Sequence, residues 1–189
     1  MPLGAARFGL LGGVADLGKL ELIETVSIST SVANVDFESL GSYNVHLATF
    51  TNWHNATDQQ LGIRFAESGT YETSAVYQTA YQRGAADANF GEARSTGINM
   101  ITMHSAAGGT GSAREVNNGY VYFYNLVDSS KYSFVTYQTS ILDSGGDASF
   151  SFGSGVLPQA SAVDKIRFLG FSGTNLDSGE FSLYGIAES

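Results

Sequence analysis

The strongest constraint on this chain is a rhythm: short runs of alternating apolar and polar residues, each closed by Asn, Asp, Gly or Ser. Leu61, Ile63 and Phe65 share one face of a five-residue run. Lys19 to Ile28 alternates at Leu20 and Leu22, slips at Ile23, and resumes at Val26 and Ile28. Further runs are Val32 to Phe37, Tyr43 to Thr51, Ile98 to Met103, Tyr120 to Leu126, Tyr132 to Ile141, Ala148 to Phe152, Val163 to Phe171 and Glu180 to Ile186. Period-two patterning rich in β-branched and aromatic residues specifies strands. Between them stand Asn117-Asn118-Gly119, Asp128-Ser129-Ser130, Ser144-Gly145-Gly146-Asp147 and Asp177-Ser178-Gly179, residues that accept the backbone conformations of tight turns. Only Tyr71 to Ala88 partly fits a helical stripe; its alternation at Ser74 to Tyr81 assigns a strand followed by a glycine-rich loop. About ten or eleven strands with turns between them predict an all-β fold, an antiparallel β-sandwich of jelly-roll type.

Residues 1–18 read differently. PLGAARFGLLGGVADLG holds glycines and leucines with neither alternation nor a helical stripe, which suits an extended N-terminal arm ahead of one β-sandwich domain, 19–189. Leu3, Phe8, Leu10 and Leu11 are the arm's candidate partner contacts, against another surface or against its own domain. The second candidate surface lies on the strand Tyr120 to Leu126, where Tyr120, Tyr122 and Tyr124 share one face and Val121 and Phe123 the other. Such a strand either lies centrally in a sandwich or offers its tyrosines to a partner chain.

Composition excludes several classes. The 189 residues carry 9 Lys+Arg against 18 Asp+Glu, a formal charge of −9, which argues against a nucleic-acid partner. No cysteine is present, so there are no disulfides, thiolate metal sites or cysteine nucleophiles. No apolar run approaches the ~20 residues of a membrane helix, and Met1 to Leu11 lacks the basic and apolar regions of a secretory signal.

Catalytic patterns are absent in turn. His46, His54 and His104 show no metal-ligand spacing. Phe152-Gly153-Ser154-Gly155 lacks the spacing and following helix of a nucleophile elbow, and Gly108-Gly109-Thr110-Gly111 lacks the Lys of a phosphate loop. Glu67, Glu72 and Glu92 are scattered acids rather than a defined glycosidase pair. Asp143 and Asp147, in a glycine-rich loop, could offer oxygen ligands to calcium but lack the spacing of a dedicated loop. Trp53 and His54, in a polar stretch, are candidate glycan contacts if the indole is exposed; a Trp closing the sandwich edge is the other reading. The expectation is a protein that is no enzyme and has no cofactor or metal.

Three blocks carry a family resemblance. Gly12 to Thr25 (GGVADLGKLELIET), Gly119 to Gln138 (GYVYFYNLVDSSKYSFVTYQ), and Phe152 to Ser161 (FGSGVLPQAS) with Phe181 to Ile186 (FSLYGI) resemble, in order, small structural proteins of marine tailed bacteriophages, including cyanophages. The resemblance implies a non-enzymatic virion protein on the particle exterior that decorates or stabilises the capsid. Its expected partners are the major capsid protein or other virion proteins, and further copies of itself, a trimer before a dimer. The alternative is a tail-associated host-attachment module that binds cell-surface glycan.

Overall fold

Alternation sends every second side chain of each run to the same side, and the runs bury that side by pairing into two facing sheets. The computed structural model describes residues 19–104 and 116–187. Their strands are β1 (Lys19–Ile28), β2 (Asn34–Phe37), β3 (Val45–Asn55), β4 (Leu61–Glu67), β5 (Thr70–Tyr71), β6 (Tyr77–Ala85) and β7 (Phe90–Ile98), followed by β8 (Ile101–Thr102), β9 (Asn117–Tyr124), β10 (Ser133–Leu142), β11 (Ala148–Leu157), β12 (Val163–Gly170) and β13 (Leu176–Ala187). The larger sheet has the order β1-β13-β3-β9-β10-β11-β6-β7; the smaller runs β2-β12-β4-β5, with β8 also on β4. Every pairing is antiparallel.

The pairs β1–β13, β2–β12, β3–β9 and β4–β8 are those of a folded-over ribbon, the jelly roll. Two insertions enlarge it. Strands β5 to β7 interrupt the chain between β4 and β8, and β10 and β11 interrupt it between β9 and β12. Of these, β10, β11, β6 and β7 continue the larger sheet beyond β9. That sheet therefore has a jelly-roll half and an extension.

Phenylalanine fills the space between the sheets. Phe168 on β12 lies 5.4 Å from Phe181, 6.0 Å from Phe50, 6.2 Å from Phe37 and 6.4 Å from Phe123, between ring centroids. All five are fully buried, and each is worth about 1.5–3 kcal/mol relative to exposure. Below the extension the interior turns polar. Thr79 and Tyr137 donate to the Thr102 carbonyl at 3.1 and 3.0 Å, and Ser151 donates to the Met103 carbonyl at 2.6 Å. These bonds tie residues 102–103 to the inside of the larger sheet and satisfy polar groups that water cannot reach.

The strand assigned to Ser74–Tyr81 is present in part, as β6, which starts at Tyr77 and runs on to Ala85, and the hairpin across Asp128 is present between β9 and β10. Its turn is closed by Asp128, which accepts from the Ser130 N–H and hydroxyl at 2.9 and 2.6 Å and pairs with Lys131 at 3.0 Å. Those donors, Ser130 first, hold its carboxyl at about 2. Other expectations need correction. The glycine-rich loop after β6 is a tight turn into β7, an edge strand with no fully buried residue, whose half-buried positions Gly91, Ala93 and Ser95 are too small to give an apolar pattern. The run Ile98 to Met103 divides between β7 and the two-residue β8. The Gly-Ser stretch at residues 153–155 continues β11 as strand. The N-terminal arm, with Leu3, Phe8, Leu10 and Leu11, and the Gly108 to Gly111 turn lie outside the described residues.

Candidate functional site: the outer face of the larger sheet

Cross-strand register brings distant residues into rows on the side of the larger sheet that faces away from the core. One row runs from Leu20 through Ile186, Val45 and Tyr124 to Phe134 and Val156. The next runs from Leu22 through Tyr184, Leu47 and Tyr122 to Thr136 and Ser154. A third joins Thr49, Tyr120, Gln138, Phe152, Gln82 and Glu92. On the jelly-roll half the first two rows are aliphatic and tyrosine; on the extension aromatic rings alternate with amides and hydroxyls. Charge is scarce: in the regular rows it is confined to Glu180 on β13 and to the Glu92–Arg94 pair on β7, 3.0 Å apart.

Several of these side chains are large, apolar and open to solvent. Leu20 is 52% exposed, Leu22 59%, Phe134 43%, Phe150 43%, Phe152 49% and Phe90 71%. They form two groups, Leu20 and Leu22 on the edge strand β1 and the four phenylalanines on the extension, and exposed apolar groups of this size are candidate contact sites. Phe150 and Phe152 lie parallel at 6.4 Å, and the rings of Phe90 and Phe150 reach over Gly84, where a Cβ would meet them at 2.6 and 2.8 Å.

Of the two readings of the strand carrying Tyr120, Tyr122 and Tyr124, the structure shows the central one. β9 is central, between β3 and β10, and its tyrosines point outward. The Tyr120 hydroxyl donates to Gln138 Oε1 at 3.0 Å, and the Tyr124 hydroxyl bonds Thr136 at 3.2 Å. Beside them a shallow groove of about 620 Å³ is bordered by the three tyrosines, Gln138 and Phe152. A second, of about 460 Å³, lies further along the extension between Phe134, Ser154, Ala80 and Arg94.

Of the two readings of Trp53, burial favours the structural one and removes the glycan contact. It sits within β3, fully buried, with its ring 5.5 Å from that of His104. His54, next to it, is half-buried. His104 accepts the Leu61 N–H at Nε2, 2.9 Å, which fixes a neutral ring with lone pair toward the backbone. His46 donates through Nε2 to the Leu40 carbonyl at 2.7 Å, and burial pulls its pKa below the ordinary histidine value. The histidines thus occupy separate structural positions.

Asp143 and Asp147 line a small cleft with Asp87 and Arg83. The Asp143 carboxylate is already engaged, accepting from the N–H of Gly145 at 2.9 Å and of Asp147 at 3.1 Å. Among the described residues no three His, Asp or Glu side chains are grouped to hold a metal ion, and no helix is long and apolar enough to cross a membrane.

Sequence reasoning singled out the three tyrosines as candidates but not the exposed Leu20, Leu22, Phe134, Phe150 and Phe152. The signal was present at Phe134, which is out of phase with the buried series Val135, Tyr137, Thr139 and Ile141. Comparison with protein-family models, curated proteins and solved structures finds no match.

Proposed function

We propose that this chain is a non-enzymatic structural protein of a tailed-phage virion, exposed on the particle and decorating or stabilising the capsid through contacts with shell proteins and with its own copies. The phage setting rests on the sequence resemblance. The contact role is carried by one observation: the double row of Leu20, Leu22, Val45, Leu47, Tyr184 and Ile186 on the outside of the jelly-roll half, free of charge across three strands. A chain of net charge −9 repels its copies everywhere except where charge is absent, so this patch is where two copies approach at least electrostatic cost. Closed rotational symmetry then satisfies the patch without open-ended growth; the preference for three copies rests on the sequence resemblance.

Light scattering on the purified protein tests self-association. Three chains of 20.0 kDa give 3 × 20.0 = 60 kDa; a 20 kDa species at micromolar concentration overturns the self-contact. Leu22→Asp, at a position that contributes nothing to the core, is expected to leave the circular dichroism spectrum intact and to reduce incorporation into particles about tenfold or more. Full incorporation of that variant rejects the patch. A copy number in the hundreds per particle fits capsid placement, and a few tens or fewer fits the tail.

A further inference from the structure

We infer that the extension of the larger sheet, together with the adjoining strand β9, is a binding trough for an uncharged, extended oligosaccharide. The site is separate from the aliphatic patch of the jelly-roll half and does not depend on it.

The lining decides the ligand class. A sugar ring presents a face of C–H groups and a rim of hydroxyls, so it needs aromatic area and planar hydrogen-bonding groups in alternation. The third row supplies that order: Tyr120, Gln138, Phe152 and Gln82 stand side by side on four adjacent strands. Tyr120 donates its hydroxyl to Gln138 Oε1 at 3.0 Å, which leaves the amide nitrogen of Gln138 to donate to a ligand. The surface is grooved rather than flat, with openings of about 620 and 460 Å³ along the extension. Four inter-strand steps from β9 to β7, each about 4.8 Å, make a trough of roughly 19 Å, long enough for several sugar rings in line.

Two observations separate this occupant from others. An apolar protein surface would cover Tyr122 and Phe152 but would also bury the amides of Gln138 and Gln82 without partners, an arrangement that is disfavoured. Sugar hydroxyls pair with those amides while the rings stack. Charge then selects among glycans. The trough's ions, Glu92 and Arg94, already pair at 3.0 Å, and the chain as a whole carries −9. Nothing there complements an acidic chain, and the surrounding field repels one.

The test is isothermal titration of the full chain with three neutral probes, maltoheptaose, cellohexaose and mannohexaose, and with an acidic control, an oligoguluronate. Saturable binding of at least one neutral probe is expected, with none of the control. Phe152→Ala and Gln138→Ala, both exposed positions, should each weaken that binding about tenfold, and Leu22→Asp should not change it. Absence of saturable binding to all three neutral probes at about 10 mM overturns the inference. So does unchanged affinity in Phe152→Ala, or preference for the acidic control. The readouts are separable: Leu22→Asp tests incorporation, and Phe152→Ala tests the trough in a protein that still assembles.

Discussion

The two sheets share one core, yet their outer faces follow opposite rules. The smaller sheet shields itself with ions. Across one row, Asp36 on β2, Arg167 on β12 and Arg64 on β4 stand in register. Arg167 grips Asp36 through two bonds, 2.7 and 2.6 Å, and lies 3.9 Å above the Tyr71 ring. Those partners, Asp36 first, raise the Arg167 pKa further, and Tyr71 is pushed up to about 12 by burial and then by the Asp36 charge. Arg64 donates to the Asn99 carbonyl at 2.9 Å. The larger sheet instead carries leucine, tyrosine and phenylalanine on its outer face, with glutamine and alanine on β6. A solvent-facing sheet suits a network of paired charges; a sheet that meets a partner suits their absence. Under the proposed function, the larger sheet's face is the one that meets a partner.

The comparison breaks most strongly at Arg167. Its side chain is 26% exposed and that of Asp36 22%, so removing the guanidinium leaves a half-buried carboxylate without its bidentate partner. Arg167→Ala is expected to cost about 1–3 kcal/mol in denaturant unfolding. Arg167→Lys should recover only part, because an ammonium cannot make the two-pronged contact. A change of similar size from Phe152→Ala, on the other face, would erase the distinction between the faces, since an exposed contact ring should contribute little to the stability of the free chain.

How much of this was legible beforehand depends on what each strand meets. Strands packed on the phenylalanine core announce themselves, as at Leu61, Ile63 and Phe65, because burial on one side enforces alternation. β7 has no fully buried residue and left no apolar pattern. β11 inverts the usual rule: Phe150 and Phe152 face out while Ser149 and Ser151 face in. The inward serines are stable there because Ser149 donates to the Gly84 carbonyl at 3.1 Å and Ser151 to the Met103 carbonyl at 2.6 Å. Composition cannot report such bonds, since they join residues 48 and 65 positions apart. Trp53 was open to two readings for a related reason. Its neighbours in sequence are polar, but β3 carries the ring into the closed end of the sandwich. The contact rows were hidden because each collects single residues from strands scattered along the chain.

A smaller effect comes from acid, and it acts from inside the larger sheet. His46 is buried with Nδ1 unpartnered, and burial lowers its pKa. In the unfolded chain it titrates near the ordinary value of ~6.5, so the unfolded state binds the proton first. The stability this site supplies is therefore complete above about pH 6.5 and is lost as pH falls toward the depressed folded value. Thermal unfolding followed from pH 7.5 to 5 should show a falling midpoint, with a shallower slope in His46→Gln. An identical slope in the variant would place the proton uptake elsewhere.

The smallest effect sharpens the contrast within the ion-paired face itself. Lys165 reaches Glu38 at 3.0 Å, as close a contact as many stronger ones. The lysine is 26% exposed, but the glutamate is 68% exposed, so water already solvates one end of the pair. Exposed pairs of this kind contribute about 0–1 kcal/mol, less at high salt. A double-mutant cycle with Lys165→Ala and Glu38→Ala should give a coupling below about 1 kcal/mol that fades in about 0.5 M NaCl. The corresponding cycle at Arg167 and Asp36 should give a larger coupling that salt reduces less, because both partners are half-buried and bidentate. Equal couplings would mean that burial does not grade this network, and the smaller sheet's face would then be a set of interchangeable surface charges rather than a shield anchored at one row.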